Sequence, residues 1–155
     1  MPPVEVVPAR PEHLAPIARA MRASDRAEIW AAAMLEPGRG LALSLAASPL
    51  AWTGVMDGQP ACMFGACAVP ADPNHGVPWL LGTDAVDRNA VAFLRHTRAT
   101  IAVMQERFSF LSNHVDARNA TSIRWLRWLG FTLGDPVPLG PFALPFHPFW
   151  RIRHG

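Results

Sequence analysis

Acid–base catalysis is the chemistry that this sequence can supply, and it would fall on histidine and carboxylate side chains. The chain of 155 residues contains no lysine and no tyrosine, so neither an amine nor a phenol side chain is available as acid or base. His114 and Asp116 lie near the end of a predicted strand, just before Asn119. They are the candidate catalytic pair. Asp116 could instead have a structural role, in which it stabilises the adjoining loop through local hydrogen bonds. The residue types favour this structural role over the catalytic one.

Several other chemistries are excluded by residue type or spacing. No cysteines and histidines have the spacing of a zinc site, so we predict no metal. No serine lies in a Gly-x-Ser-x-Gly turn, and a phosphate loop of the Walker type needs a lysine. His75 is expected in a solvated loop, and His96 on a basic helix face. Cys62 and Cys67 lie five apart in a predicted strand, which directs them to opposite faces and makes a disulfide improbable.

The basic charge is concentrated in one stretch, although the net charge is only +2. Residues 88–128 contain seven arginines and two acidic residues, whereas residues 1–87 contain five and nine. Such a stretch could contact nucleic acid, and Trp125 and Trp128 could stack on a base. A solvated face and ordinary core packing are the favoured interpretations, so nucleic acid is not an expected partner.

Composition indicates one globular domain over residues 1–155, with a proline-rich C-terminal strand region at 135–155. Half of the residues are hydrophobic and 17% are charged, which suits a single buried core. The first residues lack the features of a signal peptide. The longest apolar stretch, 41–55, is too short for a membrane span. We therefore expect a soluble protein in a reducing cytosol.

The hydrophobic period changes along the chain and predicts a mixed α/β order of elements. Two apolar runs, 50–56 and 61–69, flank an Asp57-Gly58 turn and predict a hairpin. From Asn89 the pattern predicts the longest helix, of roughly 18 residues. The remaining elements are predicted in this order: a strand at 4–8, helices before and after a breaker at 37–40, a loop at 70–78, strands at 79–83 and 110–115, a helix at 119–129, and short or edge strands in the proline-rich tail.

Residues 115–131 resemble the last helix of the GCN5-related N-acetyltransferases. Those proteins show an asparagine that opens the helix, then a small residue three positions on, an apolar residue six on, and Gly-Phe at eleven and twelve. Here these positions are Asn119, Ser122, Trp125, Gly130 and Phe131. The element order is similar too. The resemblance implies an α/β acyl-CoA N-acyltransferase fold, with a mixed, mostly antiparallel sheet flanked by helices.

A second likeness covers roughly residues 4–153. The chain is similar to a family of tailed-phage and prophage proteins related to the small internal virion protein of short-tailed phages, whose members look like acetyltransferase-fold domains. The matching segments are 79–83, 93–96, 113–119 and 125–131. This resemblance implies a place in the cytoplasm of a bacterial host or in the virion, with virion proteins as partners.

The acetyltransferase resemblance implies a cofactor, acetyl-CoA, and the residues that bind it. In that fold the pantetheine lies along a splayed fourth strand, and backbone N–H groups at the start of the long helix hold the pyrophosphate. The cofactor-binding candidates implied on this basis are Leu81, Gly82, Thr83, Arg88, Asn119 and Ser122.

Two departures from that pattern weaken the expectation of catalysis. The segment 81–89 offers one glycine, and Asp84 and Asp87 would repel a pyrophosphate, so that Arg88 is left as a charge-assisted contact. In many members of the family a tyrosine seven residues after the helix-opening asparagine protonates the leaving thiolate. That position is Leu126 here.

Two functions therefore stay open. One is an acetyl-CoA-dependent N-acyltransferase acting on an unidentified amine. The other is a non-enzymatic phage protein that works by binding, in the virion or during its assembly. The departures favour impaired or absent acetyl transfer. A V-shaped gap between the fourth and fifth strands, beside residues 81–83, would favour cofactor binding, whereas a filled gap would favour a scaffold.

Overall fold

A mixed sheet of eight strands runs through residues 4–153, the part of the chain that the computed structural model describes. The predicted domain limits at 1–3 and 154–155 lie outside those residues. The strands are β1 (Val4–Pro8), β2 (Leu50–Met56), β3 (Gln59–Val69), β4 (Asp72–Gly82), β5 (Phe110–Asp116), β6 (Thr132–Leu133), β7 (Val137–Leu139) and β8 (Leu144–Ile152). Their order across the sheet is β1-β2-β3-β4-β5-β8-β6, with β7 also paired to β8. Every pair is antiparallel except β4 with β5, which confirms the predicted fold class.

Helices cover both faces of this sheet. They are α1 (Leu14–Arg19), α2 (Ala23–Ala33), α3 (Pro37–Ala46), α4 (Asp84–Arg88), α5 (Ala90–Arg107) and α6 (Ala120–Trp128). On one face Ile17 and Leu41 pack against Leu81 of β4. On the other, Met104 of α5 packs with Val115 of β5. Among the described residues, none of these helices combines the length and the apolar composition that a membrane crossing needs.

Three local predictions are confirmed. Asp57 and Gly58 both have positive φ, 52° and 71°, as the tight turn of the β2–β3 hairpin requires. α5 has the predicted 18 residues. Asn119 caps α6 by accepting a hydrogen bond from the Ser122 N–H, and Gly130 follows the helix with φ of 89°.

The predicted breaker at 37–40 is wrong, because these residues form the first turn of α3. Pro37 occupies the first helical position, where its missing N–H costs no hydrogen bond. Gly40 is needed for close packing of two helices, since a Cβ there would lie 3.0 Å from a methyl group of Ile29 in α2. A glycine-rich stretch thus serves helix contact instead of helix termination.

The predicted loop at 70–78 is also wrong, because β4 begins at Asp72. Pro78 is tolerated since its carbonyl accepts a hydrogen bond from the side of β5, so its missing N–H faces that side, where no ladder forms. β8 is likewise longer and more internal than its prolines predict. The Pro148 carbonyl accepts from the Gly134 N–H, just beyond the end of β6. Pro148 cannot return a bond to the Gly134 carbonyl, but His147 Nδ1 lies 2.9 Å from that carbonyl and takes the place of the missing N–H.

Candidate active site

The two parallel strands of the sheet separate along their length. β4 and β5 pair only at His75–Phe110 and Gly76–Leu111, although both strands continue for several residues. A hydrogen bond of 2.6 Å between His75 Nε2 and Ser112 Oγ fastens the paired end. Beyond it the strands diverge, which gives the V-shaped gap that favours cofactor binding. His75, predicted in a solvated loop, instead holds this seam.

A cavity of about 370 Å³ occupies the gap and is lined from both faces of the sheet. Leu81 on β4, His114 on β5 and Ser122 on α6 all line it, so the fold brings these three sequence candidates together. Leu126, at the position of the family's tyrosine, lines the cavity as well and adds only apolar surface. No tyrosine hydroxyl is available there.

One side chain replaces the lost ladder at the narrow end of the gap. Asn113 Nδ2 donates to the Pro78 carbonyl at 2.8 Å, and Asn113 Oδ1 accepts from the His114 N–H at 2.8 Å. The carboxamide therefore bonds as a peptide group would in a continuous sheet. The Pro78 carbonyl faces the gap. Backbone N–H and C=O groups of every second residue in a strand point to the same side, so those of Leu80 face the gap as well. This edge of β4 can pair with the amides of an extended ligand.

The sequence did not single out Glu28, an acid on α2 that lines the same cavity. Glu28 Oε1 accepts a hydrogen bond from the Asp116 N–H at 2.8 Å. Burial raises the pKa of the Glu28 carboxyl from 4.5 to about 7, and the nearby carboxylates of Asp25 and Asp116 add to the rise. The Asp116 hydrogen bond and the Asn119 side chain act in the opposite direction on this pKa. A carboxyl with these properties can exchange a proton near neutral pH.

Asp116 itself braces the loop that follows β5. Its carboxylate forms hydrogen bonds with the Arg118 backbone N–H at 2.9 Å and with the Arg118 guanidinium at 2.7 Å. Burial would raise the pKa of Asp116, but the bonds to Arg118 outweigh burial, so this pKa lies below its ordinary 3.8. His114 is exposed at the cavity, whereas Asp116 is buried. This geometry favours the bracing alternative for Asp116.

Asn119 follows this loop and caps α6, and it is not among the residues that line the cavity. Its Oδ1 accepts from the Ser122 N–H at 3.2 Å. Its Nδ2 is buried and finds no hydrogen-bond partner within residues 4–153. A buried amide donor without a partner carries a free-energy cost, and this one lies close enough to Glu28 to act on its pKa.

The end of β4 is occupied by contacts within the protein. The Gly82 N–H donates to Asp25 Oδ2 at 2.9 Å. The Thr83 N–H and hydroxyl both donate to the Ala61 carbonyl. Thr83 and Arg88 line a separate cavity of about 450 Å³, together with Asp84. Of the six cofactor candidates, Leu81 and Ser122 line the first cavity, Thr83 and Arg88 line the second, and Gly82 and Asn119 line neither.

Short α4 takes the place of a glycine-rich phosphate loop. Its exposed Asp84 and Asp87 lie in the first turn. Asp87 forms an ion pair of 3.0 Å with Arg22, which also binds Asp25 and is itself buried. Arg22 therefore offsets part of the negative charge that would repel a phosphate.

The fold can now be set beside solved structures. An Ard1 structure from Thermoplasma volcanium matches with a TM-score of 0.77 over 98% of this chain and 99% of its own, at 13% identity. A GCN5-related N-acetyltransferase from Kribbella flavida matches with a TM-score of 0.70 over 97% of this chain and 98% of its own, at 16% identity. This chain has the acyl-CoA N-acyltransferase fold.

A third structure with this fold contains a ligand. The aminoglycoside acetyltransferase AAC(6')-Ib, in complex with coenzyme A, matches with a TM-score of 0.70 over 97% of this chain and 95% of its own, at 13% identity. No protein-family model and no curated protein sequence matches the chain.

Three contributors to the site escaped sequence reasoning. Leu80 contributes backbone groups, which no side-chain pattern reveals. Asn113 belongs to a segment that resembles the phage family, but its bridging role depends on Pro78, 35 residues away. Glu28 had one available signal, since it is an acid within the apolar pattern of a predicted helix.

Proposed function

We propose that the protein is an N-acyltransferase that transfers an acetyl group from acetyl-CoA to an amine. The observation that carries this proposal is the open gap between β4 and β5, with the Glu28 carboxyl on its wall. The acetyltransferase-like fold supports it, and so does a neighbour of this fold in complex with coenzyme A.

The edge of β4 where acetyl-CoA would bind suits the pantetheine arm of that molecule better than it suits the pyrophosphate. The Leu80 peptide groups would pair with the amides of the arm, alongside Leu81. The usual phosphate cradle is missing, because Gly82 and Thr83 donate to protein groups. We therefore expect weak donor binding, in which Ser122, held by the Asn119 cap, borders the arm. The phosphates would extend past the end of β4 to a charged contact with Arg88 in the second cavity.

Acetyl-CoA, when bound, supplies an acetyl carbonyl carbon that an amine nitrogen can attack, with the thiolate leaving. Glu28 accepts the proton that the amine loses, because a pKa of about 7 keeps part of this carboxyl ionised at neutral pH. Asp116 is a positioning residue, since its N–H holds Glu28 Oε1. His114 is exposed at the same cavity, which supports a role in returning a proton to the departing sulfur in place of the missing tyrosine.

Calorimetry and a thiol-release assay test this proposal. We expect acetyl-CoA to bind with a measurable heat and to raise the melting temperature. Ser122→Trp should fill the cavity and lower donor affinity at least tenfold. Thr121→Trp is the matched control, because Thr121 does not line the cavity. Absence of heat and of any shift in melting temperature at millimolar acetyl-CoA would overturn the proposal.

Separate variants test the assigned chemistry. Glu28→Gln should reduce kcat by about 10²-fold or more, the ordinary contribution of a general base, with little change in acetyl-CoA affinity. Wild-type kcat should rise as the pH increases through about 7, since the neutral carboxyl cannot accept a proton. The charged groups that act on Glu28 are Asp25, Asp116 and Arg118. His114 lines the same cavity, so the pH profile of kcat is also measured in His114→Gln, where it should persist.

A second candidate is a non-enzymatic protein of the virion or of its assembly. The four segments that resemble the phage family favour it, and so do Asp84, Asp87 and Leu126 at positions where catalysis wants other residues. In that case the protein would be located in the cytoplasm of the bacterial host or in the phage particle. Mass spectrometry of purified particles and deletion of the gene test it. Absence from particles, together with normal particle assembly after deletion, would exclude this candidate.

A further inference from the structure

We infer that the acceptor is a primary amine carried on an apolar chain, with no second charged group on that chain. This inference rests on the proposed function, because it names the substrate class of the same site. It is argued from the wall of the cavity on the side of α2 and α3.

Only one carboxylate lines this cavity in the described part of the chain. Glu28 is the only aspartate, glutamate or arginine among the lining residues within 4–153. A single carboxylate can form an ion pair with one ammonium group. A second ammonium would be buried without a partner, and a substrate carboxylate would find no arginine, so both are costly.

The rest of the wall on this side is apolar. It consists mainly of Ile29, Ala32, Leu35, Leu43, Trp79 and Phe146. Leu43 is 48% exposed, so the cavity is apolar out to its mouth. A chain attached to the amine would therefore lose apolar surface to the wall on binding.

The polar groups in this wall are already bonded within the protein. The Trp79 indole N–H donates to Ser48 Oγ at 2.8 Å, and Ser44 Oγ donates to the Gly40 carbonyl at 2.9 Å. The Asn113 amide is used on both sides. These side chains therefore have few free hydrogen-bonding atoms for an acceptor substrate. The hydroxyl groups of a hydroxyl-rich acceptor would be buried here without hydrogen-bond partners.

Pentylamine and cadaverine form a matched pair of probes, because they share a five-carbon chain and differ by one ammonium group. We expect kcat/KM for pentylamine to exceed that for cadaverine at least tenfold. From propylamine to hexylamine, each added methylene should raise kcat/KM about threefold. Amine binding is also measured by calorimetry without acetyl-CoA, so the preference is tested even if no transfer occurs.

Variants of Leu43, at the mouth of the cavity, test whether the cavity wall causes the preference for pentylamine over cadaverine. Leu43→Gln should weaken the dependence of kcat/KM on the length of the amine's carbon chain. Leu43→Glu should raise kcat/KM for cadaverine relative to that for pentylamine. Val91→Gln is the control, since Val91 is 64% exposed and lies outside the cavity.

Equal or better binding and turnover of cadaverine by the wild type would overturn the inference while leaving acetyl transfer intact. Failure of acetyl-CoA to bind, with the amine preference retained, would instead overturn the proposed function alone.

Discussion

Replacing Glu28 with glutamine should change the pH dependence of stability. Glu28→Gln keeps an oxygen that can accept the Asp116 N–H but removes the titrating group. The Glu28 pKa is about 7 in the folded protein against an ordinary 4.5. The folded protein thus binds this proton more tightly than the unfolded chain does. The contribution of Glu28 to stability is therefore present at low pH and is lost as the pH rises from 4.5 to 7.

The size of the effect follows from these two values. Each unit of difference in pKa corresponds to about 1.4 kcal/mol. Between pH 5 and pH 8, the wild type should lose about 2.5 kcal/mol of unfolding free energy that Glu28→Gln retains. For a domain of this length, that difference corresponds to roughly 5–10 °C in melting temperature.

Urea denaturation at pH 5 and pH 8, at constant ionic strength, measures this difference. Other titrating groups cancel when the variant is compared with the wild type at each pH. Glu5→Gln is the control, because Glu5 is exposed on β1. We expect the advantage of Glu28→Gln over the wild type to grow from pH 5 to pH 8, with no such growth for Glu5→Gln. An advantage that is equal at both pH values, or a variant less stable than the wild type at pH 8, would refute the reasoning.

Four further predictions concern the same site. Asp116→Asn should lower the unfolding free energy at pH 7 through the lost ion pair with Arg118; in urea denaturation this loss should shrink as the pH falls below 3.8. Asn113→Ala should cost about 1–3 kcal/mol, since it leaves a β4 carbonyl and an N–H without their side-chain partner, and calorimetric melting measures it. Leu126→Tyr should raise kcat in the thiol-release assay by supplying the missing hydroxyl, and an unchanged kcat would contradict a limiting thiolate protonation. Arg88→Gln should weaken acetyl-CoA binding a few-fold at low salt and less at high salt; equal weakening at both would argue against a phosphate contact.

The elements most accurately predicted from the sequence are those with local signals. The stripe of α5, the Asp57-Gly58 turn and the Asn119 cap each depend on residues within a few positions of one another. Their physical cause is backbone geometry, which repeats over short distances. Proline and glycine misled the prediction at 37–40 and in β4. Pro37 and Pro78 lie where the missing N–H has no ladder partner, and Gly40 permits close contact between two helices, and neither role can be recognised from residue type alone.

The candidate site divides in the same way. His114, Leu81 and Ser122 were predicted from a resemblance and share one cavity. Thr83 and Arg88 were predicted on the same basis and line another. The difference arises because α4 replaces the expected phosphate loop, and no short motif indicated that helix.

The sequence by itself determined the fold class and the residue types available for chemistry. The absence of tyrosine and lysine removes the phenol and amine side chains from acid–base chemistry whatever the fold, which leaves histidines, carboxylates and two cysteines. Only the tertiary structure decided which carboxylate matters. Glu28 lies on α2 and Asp116 at the end of β5; they are 88 residues apart in sequence and meet through the Asp116 N–H. The pKa of Glu28 is set by burial and by charges that other segments of the chain bring to it, which no local pattern encodes.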